Sequence, residues 1–204
     1  MSAPSAITLA FSGASGAPYA FRLLEQLVLA QVSVSVVIST AGHMVIRDET
    51  DWELPGNPQK LTEYLTAHFK AQPGQIKAYG KDQWSSPLAS GSAAPKTMIV
   101  CPCSAGCLSA IATGASNNLL ERAADVVLKE QGKLVLVIRE MPLSVIHLEH
   151  MLTLGRLGVC IMPANPGFYF KPQAVNDLVD FVVARILDQV HVPHTLSQRW
   201  GLGD

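Results

Sequence analysis

The sequence has little charge, because only 15% of its 204 residues are Asp, Glu, Lys or Arg, against about 25% in an average soluble protein. Its 15 basic and 16 acidic residues leave a net charge of -1. No excess of one sign therefore attracts nucleic acid or an anionic membrane to the surface. Hydrophobic residues make up 49% of the chain, so we expect more apolar surface than one small domain hides, and hence a substantial subunit interface.

Long apolar runs are absent as well. No run reaches the roughly 18 residues of a membrane-spanning helix, and the first ten residues show neither a basic leader nor the apolar core of a signal peptide. We therefore expect a cytoplasmic protein with no membrane partner. The four cysteines, three of them in the stretch CPCSAGC, form no second CxxC pair and no cysteine–histidine motif. This pattern predicts small buried thiols and no metal site.

Five apolar runs predict β-strands, and most are continuous rather than alternating, as in parallel strands covered on both faces. They begin at Ala6, Val32, Thr97, Lys133 and Gly158. Segments with helical spacing separate them at residues 17–30, after Gly42, and at residues 104–112, 118–131 and 143–157. This alternation favours an α/β fold, a three-layer α/β/α Rossmann-like domain with a mainly parallel sheet.

Two further segments complete the organisation. A last helix is predicted from Pro172, at the first helical position, to about Val190. Residues 50–92, rich in Pro, Gly and Gln, break the alternation, and we predict a helix near residues 61–69 with irregular structure after it. We expect one domain over residues 1–204, with residues 172–204 in subunit contacts.

Small residues follow three of the predicted strands, in SGASGAP (residues 12–18), STAGH (39–43) and CPCSAGCLSA (101–110). Ligands of open parallel sheets bind at the carboxyl ends of the strands, where helix N-termini offer free backbone amides. Gly13 and Gly16 allow close backbone approach, so the first turn suits a phosphate or the edge of a flavin. A tight turn needs no ligand, and Ser39 could simply cap a helix. Together the three turns favour a mononucleotide.

Charged and aromatic candidates lie near the same edge. Arg139 and Glu140 follow the fourth strand, where Arg139 could bind a phosphate and Glu140 could exchange a proton with it. The alternative is a solvated strand end. Three cations have equally plain alternatives, since Arg122 and Lys129 could form an exposed basic stripe on one helix and Arg185 could reach solvent. Glu49 and Tyr169 could likewise be structural.

Five motifs, taken together, resemble the UbiX-type flavin prenyltransferases over nearly the whole chain. They are FSGASGAPYA, LASGS, CPCSAGCLSAIATGASNNLLERAADVVLKE, LVIREMPLSVIHLEHM and PANPGFYFKP. The resemblance implies a flavodecarboxylase-like fold that binds FMN and assembles into a dodecamer of trimers with active sites at subunit junctions. It implies that dimethylallyl monophosphate donates its prenyl group to N5 and C6 of reduced FMN. The product, prenylated FMN, would serve a UbiD-type decarboxylase in ubiquinone biosynthesis or aromatic acid decarboxylation.

The resemblance also implies roles for individual residues. FMN contacts are expected from Gly13, Ala14, Ser15, Ser39, Ser104, Ala105, Gly106, Cys107 and Arg139. Prenyl phosphate contacts are expected from Arg122, Lys129, Arg139, Tyr169 and Arg185. Arg122 and Lys129 could come from the same subunit or from a neighbouring one. Catalytic roles are expected for Ser15 and Glu49 near flavin N5 and for Glu140 near the phosphate, and Trp200 is expected to shield the prenyl group from water.

One departure from the family pattern concerns the first turn of the fourth helix, where many members have Ser-Met-Lys-Thr and this chain has SAGC, residues 104–107. Side-chain contacts are lost there, although backbone amides can still serve the flavin. No DDxxD-type cluster for magnesium is present. We therefore expect metal-independent transfer, with cations stabilising the departing phosphate.

Three other functions remain as alternatives. An FMN-dependent cysteine decarboxylase of the same fold would need a histidine base and an asparagine-rich substrate motif; His43 is the one histidine in a comparable early helix, and PANPGFYF lacks the Met-Asn pair of those enzymes. A non-catalytic FMN-binding subunit of a decarboxylase would not need the charged candidates. A direct decarboxylase of aromatic acids would need a larger acid-binding site than the motifs provide.

Overall fold

The computed structural model describes residues 4–196, and residues 197–204 of the expected C-terminal contact segment, with Trp200 among them, lie outside that range. Its six strands are β1 (Ala6–Phe11), β2 (Ser33–Ile38), β3 (Ile76–Tyr79), β4 (Thr97–Cys103), β5 (Lys133–Ile138) and β6 (Cys160–Pro163). Its helices are α1 (Ala17–Leu29), α2 (Thr40–Glu49), α3 (Pro58–His68), α4 (Ala105–Ala112), α5 (Leu119–Lys129), α6 (Val145–Arg156) and α7 (Val175–Gln189). The strands form one parallel sheet in the order β3-β2-β1-β4-β5-β6.

Two hydrophobic cores lie on opposite faces of this sheet, because successive side chains of a strand point to opposite sides. Ile7, Leu9 and Phe11 of β1 belong to the core covered by α1, α2, α3 and α7. Ala10 belongs to the core covered by α4, α5 and Leu154 of α6. The predicted three-layer α/β/α fold with a parallel sheet is thus confirmed.

The prediction of irregular structure after the helix at residues 61–69 is wrong, because β3 forms there. This strand is four residues long and pairs in parallel with β2, with Val34 opposite Ile76. Ile76, Ala78 and Tyr79 are buried, whereas Lys77 is exposed. A strand this short at a sheet edge gives too few residues for a periodic pattern, so sequence reasoning missed it.

Several helices begin at residues other than those predicted: α3 starts at Pro58 and α6 at Val145, and the starts of α2 and α7 have a clear cause. The helix α2 starts at Thr40, before Gly42, because the Ser39 hydroxyl accepts the Gly42 N–H at 2.9 Å and caps the helix. The helix α7 starts at Val175 rather than at Pro172. The Asp177 carboxylate accepts the backbone N–H groups of Gln173 and Ala174 at 2.7 and 3.1 Å, which fixes the chain just before the first turn.

The helix α6 is the least covered part of the fold. Leu154 is its one buried residue, and most of its other apolar side chains face outward. The exposed apolar face of α6, as we call it, comprises Met141, Leu143, Val145, Ile146, Leu148 and Leu152. Part of the expected excess of apolar surface therefore lies here, and a second group of exposed apolar residues lies before and at the start of α7: Phe168, Tyr169, Phe170 and Val175. Among residues 4–196, no helix combines the length and the hydropathy needed to cross a membrane.

The cysteines are free thiols in this structure. Cys101 and Cys103 are buried in β4, and burial raises the pKa of the Cys101 thiol. Cys107 and Cys160 are half-buried. The prediction of buried thiols is thus right for the two cysteines of the strand and wrong for the other two.

Candidate active site

The centre of the sheet offers a crevice at its carboxyl edge. From β1 the chain proceeds to β2 and β3 on one side, and β4, β5 and β6 follow on the other. Such a reversal of strand order opens a crevice between the carboxyl ends of the two central strands, where ligands of open α/β sheets bind. Two turns of small residues flank it, at residues 12–16 after β1 and at residues 104–107 after β4.

Glu49, the last residue of α2, closes the N-terminus of α1. Its carboxylate accepts the Gly16 N–H at 2.9 and 3.2 Å, the Ala17 N–H at 2.9 Å and the hydroxyl of Ser15. Partial burial works to raise the pKa of Glu49, but these hydrogen bonds and the positive charge of Arg139 outweigh burial and hold the pKa below its usual value. Ser15, Glu49 and Arg139 therefore form one electrostatic group.

This arrangement narrows the prediction for the first turn. A carboxylate already holds the first amides of α1, so this helix end does not receive a phosphate as well. Gly16 has a φ of 128°, which a residue with a side chain rarely adopts. A side chain at Gly13 would overlap the Cβ of Ala41, so Gly13 is needed for packing against α2 rather than for ligand approach. Of the two ligands predicted for this turn, the phosphate is therefore excluded. The turn can still contact the edge of a flavin ring beside Ser15.

The N-terminus of α4 is open in comparison. The Ser104 hydroxyl accepts the Cys107 N–H at 3.2 Å and caps the helix, while the first-turn amides of Ala105 and Gly106 have no partner within a helix. A Cβ built on Gly106 meets nothing within 4 Å. A phosphate or a flavin oxygen has access to these amides. The Ser39 cap of α2 lies on the other side of β1, tied to it by a 2.9 Å bond from Ser39 N to Phe11 O.

Arg139 lies where β5 ends beside β4, with its backbone N–H 3.2 Å from the Cys103 carbonyl. Its Nε is buried and has no hydrogen-bond partner within residues 4–196. A buried guanidinium N–H without an acceptor is costly, which indicates that the site is shaped for a ligand oxygen at this point. The FMN contacts expected at Arg139 fit this observation. Glu140 is half-buried next to it and accepts the Met141 N–H at 3.2 Å.

The remaining cations are paired within their own helices. Arg122 contacts Asp125 at 2.6 Å and donates to the Ala89 carbonyl at 3.3 Å. Lys129 contacts Glu130 at 2.5 Å, and Arg185 contacts Asp188 at 2.5 Å. Exposed pairs of this kind are weak and easily exchanged for a stronger anion.

Two of these cations, Lys129 and Arg185, are separated from the crevice by their positions along the helices. The helix α5 starts beside β3, where Leu119 N bonds to Lys81 O, and ends near the first residue of β5. Lys129 therefore lies towards the amino edge of the sheet, about 10 Å along the helix from Arg122. Arg185 stands ten residues into α7, roughly 15 Å from the start of the helix, and its side chain is 54% exposed. Within one chain the structure does not bring Lys129 or Arg185 to the crevice.

Tyr169 belongs to an outward loop between β6 and α7 and is 80% exposed. The loop is fastened to α7 because Phe170 stacks on Phe181, with ring centroids 5.4 Å apart and planes inclined by 10°. Arg185 follows Phe181 by one helical turn. The loop that carries Tyr169 therefore packs on the helix that carries Arg185, and it begins beside β5, where Ala164 N bonds to Ile138 O at 2.8 Å. In the described part of the chain, no three His, Cys, Asp or Glu side chains are grouped as metal ligands.

Comparisons with known proteins bear on this site. A family model described as Flavoprotein matches residues 1–187. A protein named flavin prenyltransferase UbiX from Pseudomonas aeruginosa is 56% identical over 201 residues, which are 98% of this chain and 96% of that protein. The chain belongs to the flavin prenyltransferase family. The family resemblance of the sequence motifs and the expectation of a transferase are thereby confirmed.

Solved structures of flavin prenyltransferase relatives have the same fold. AnUbiX (PadA1), solved in complex with FMN and dimethylallyl pyrophosphate, is 35% identical with a TM-score of 0.86, covering 98% of this chain and 100% of that one. A dodecameric FMN-dependent UbiX-like decarboxylase from Escherichia coli O157:H7 is 38% identical with a TM-score of 0.84, covering 96% of this chain and 98% of that one. FMN is therefore the cofactor to be tested at the crevice.

One residue of the site was not singled out by sequence reasoning. Ser12, the first residue after β1, is buried and its hydroxyl joins the two turns that flank the crevice. The sequence did contain a signal for this role. Ser12 directly follows one central strand, and the neighbouring central strand contains Pro102, whose backbone cannot donate a hydrogen bond.

Proposed function

We propose that the protein transfers the dimethylallyl group of dimethylallyl monophosphate to N5 and C6 of reduced FMN, giving prenylated FMN. The observation that carries this proposal is the buried, unpartnered Nε of Arg139 beside the Ser15 and Glu49 pair, at the crevice of a flavin prenyltransferase fold. Reduced FMN supplies the nucleophilic ring atoms when bound. The chain supplies binding, orientation and charge.

The flavin half of the site, as we call it, is built from the turns at residues 12–16 and 104–107 together with Ser39, Glu49 and Arg139. The amides of Ala105 and Gly106 and the guanidinium of Arg139 suit the oxygens of FMN. Ser15 donates to Glu49, whose low pKa keeps the carboxylate charged at neutral pH. This pair is therefore placed to accept a proton lost from the flavin ring when the second bond closes.

The phosphate half comprises Arg122, Lys129, Arg139, Tyr169 and Arg185, with Glu140 beside Arg139. Allylic phosphate departs slowly unless its developing charge is stabilised. Four cations, once gathered around the phosphate by assembly, provide that stabilisation without a metal, each worth about 3 kcal/mol, or roughly a hundredfold in rate, when removed. Glu140 acts as the proton acceptor or relay at the departing phosphate.

Assembly follows from the separation of the two halves. Lys129 and Arg185 reach a flavin half only if it belongs to another copy of the chain. The exposed apolar face of α6 is suited to such an assembly, because contiguous exposed apolar residues mark surfaces that bind another protein. The Escherichia coli relative is dodecameric. We infer a homo-oligomer of the same kind, which passes prenylated FMN to a UbiD-type decarboxylase.

Mass analysis of the flavin tests the proposal directly. The purified protein is incubated without oxygen with reduced FMN and dimethylallyl monophosphate, with the diphosphate in a parallel sample, and the flavin is released and weighed. A gain of one C5 prenyl unit with the monophosphate is expected, and EDTA should not reduce it. An unmodified flavin from protein that binds FMN would overturn the proposal. A transfer rate that EDTA abolishes and magnesium restores would overturn the statement that transfer needs no metal.

A further inference from the structure

We propose that Ser12 is a positioning residue for FMN, whose buried hydroxyl fixes the spacing between the turn at residues 12–16 and the start of α4. The inference rests on the proposed function, because it requires FMN in the crevice between these two turns. Ser12 need not touch the flavin itself. Its effect passes through Ser104.

The hydroxyl of Ser12 is fully used by the protein. Ser12 is 3% exposed. Its Oγ donates to the Pro102 carbonyl at 2.8 Å and accepts the Ser104 N–H at 2.7 Å. Its backbone N–H also donates to the Pro102 carbonyl, at 3.2 Å. One side chain thereby connects the end of β1 with the first residue before α4.

A side-chain connection matters at this point because the regular pairing of β1 with β4 ends at Ala10, and a backbone bond from the Ser12 N–H to the Pro102 carbonyl is what continues beyond it. The strands β1 and β4 pair from Thr8 opposite Met98 to Ala10 opposite Val100. Beyond Val100 the register of β4 with β5 shifts, and Pro102 has no N–H to offer. The Ser12 hydroxyl adds its side-chain bonds where the regular ladder ends.

The connection continues into the residues expected to hold FMN. Ser104, held by Ser12, accepts the Cys107 N–H and so sets the direction of the first turn of α4. On the other side, Ser12 precedes Gly13 to Gly16, whose position Glu49 fixes. Without the hydroxyl, the Ser104 N–H loses its acceptor and the two turns are free to move apart. A planar ligand bound between them would lose affinity.

Thr62 provides a matched control elsewhere in the fold. Its hydroxyl also donates to a proline carbonyl, Pro58 O at 2.9 Å, and accepts a backbone N–H, that of Ala78 at 2.9 Å. It joins α3 to the edge strand β3 and lies outside both halves of the site. Comparing the two serves to separate loss of a structural bond pair from loss of flavin positioning.

The experiment compares Ser12→Ala, Ser12→Thr and Thr62→Ala with the parent protein. It measures the FMN Kd by flavin fluorescence, the kcat and the prenyl phosphate KM at saturating FMN, and the Tm without FMN. We expect Ser12→Ala to weaken FMN binding roughly tenfold and Ser12→Thr, which keeps the hydroxyl, to restore most of it. At saturating FMN, Ser12→Ala should lower kcat and leave the prenyl phosphate KM unchanged. Thr62→Ala should lower the Tm alone.

Other results would overturn the inference. An FMN Kd of Ser12→Ala within about twofold of the parent, with a lowered Tm like that of Thr62→Ala, would make Ser12 a structural residue. If Ser12→Ala does not fold, Ser12→Cys, which keeps the volume and weakens both bonds, replaces it with the same expectations. A parent protein that binds FMN but transfers no prenyl group would refute the proposed function, while the Kd comparison would still decide the role of Ser12.

Discussion

The two halves of the proposed site differ in how complete they are within one chain. In the flavin half, the Glu49 carboxylate is already hydrogen-bonded to Ser15 and stabilised by the charge of Arg139. It also accepts the backbone N–H groups of Gly16 and Ala17 in the adjoining turn. In the phosphate half, Lys129 and Arg185 lie at a distance from the crevice and pair with nearby carboxylates, Lys129 with Glu130 and Arg185 with Asp188. The fold of a single chain therefore prepares the binding of the flavin but not the departure of the phosphate.

In the proposed site, flavin binding is thus a task of the single chain, and stabilisation of the departing phosphate is a task of the assembly. Close packing at the sheet edge can preorganise a few polar groups for a ring. A dianionic leaving group needs several cations around it, and cations gathered in one chain without their ligand would repel each other. In the assembly that we propose, these cations come from separate copies, and each has a local carboxylate partner that offsets the repulsion while no phosphate is bound.

The largest effect is expected at Arg139, which is the one cation shared by both halves. Arg139→Ala removes the charge beside Glu49 and the buried Nε. We expect kcat/KM to fall roughly a hundredfold and FMN binding to weaken. Steady-state kinetics and flavin fluorescence measure the two effects. Arg47→Ala, at an exposed arginine of α2 paired with Asp48, is the control, and unchanged FMN binding in Arg139→Ala would remove Arg139 from the flavin half.

The next effect should be confined to the phosphate half. Arg185→Ala is expected to lower turnover about a hundredfold while the FMN Kd stays that of the parent protein. Lys133→Ala, at the amino edge of the sheet, is the control and should turn over normally. A loss of FMN binding in Arg185→Ala would contradict the division into two halves.

Mixing sharpens the same prediction. Refolding Arg185→Ala together with Glu49→Gln should restore about a quarter of the parent activity if each site takes its two halves from different copies at random. Each variant alone stays inactive in that case. No recovery in verified mixed oligomers would mean that both halves belong to one chain.

The smallest effect concerns pH and the stability of the flavin half. The pKa of Glu49 is lowered in the folded protein from its usual value of 4.5. The stability that this carboxylate contributes is therefore fully present above pH 4.5 and is lost as the pH falls through the lower pKa of the folded state. The Tm difference between the parent and Glu49→Gln should be largest near pH 7 and shrink below pH 4.5.

Glu130→Gln is the control for this measurement. The pKa of Glu130 is also lowered, by the hydrogen bond and charge of Lys129, but the side chain of Glu130 is exposed at the surface. Salt should therefore abolish its contribution and leave that of Glu49 largely in place. A Tm difference for Glu49→Gln that grows on acidification would contradict the hydrogen bonds seen at the start of α1.

Much of the fold could be predicted because its strands are continuous apolar runs separated by helical spacing. The edge strand β3 could not, since four residues carry no period. In the site, the small-residue turns and the Arg139–Glu140 pair were recognisable from their places after strands. The closure of α1 by Glu49 was not, because it joins residues 33 positions apart through a carboxylate and two amides. The distance of Lys129 from the crevice follows from the direction of α5 along the sheet. That direction could be predicted from the alternation of strands and helices.

The flavin half draws on segments between Ser12 and Arg139, which follow β1, β2, β4 and β5 and end α2. No fragment shorter than this span contains the whole binding surface, so FMN has affinity for the finished sheet and very little for a growing chain. FMN at a hundred times its Kd would add about 2.7 kcal/mol to the free energy of unfolding. Bound FMN thus stabilises the folded chain, so the fraction of protein that is unfolded and open to proteolysis should fall as the FMN concentration rises.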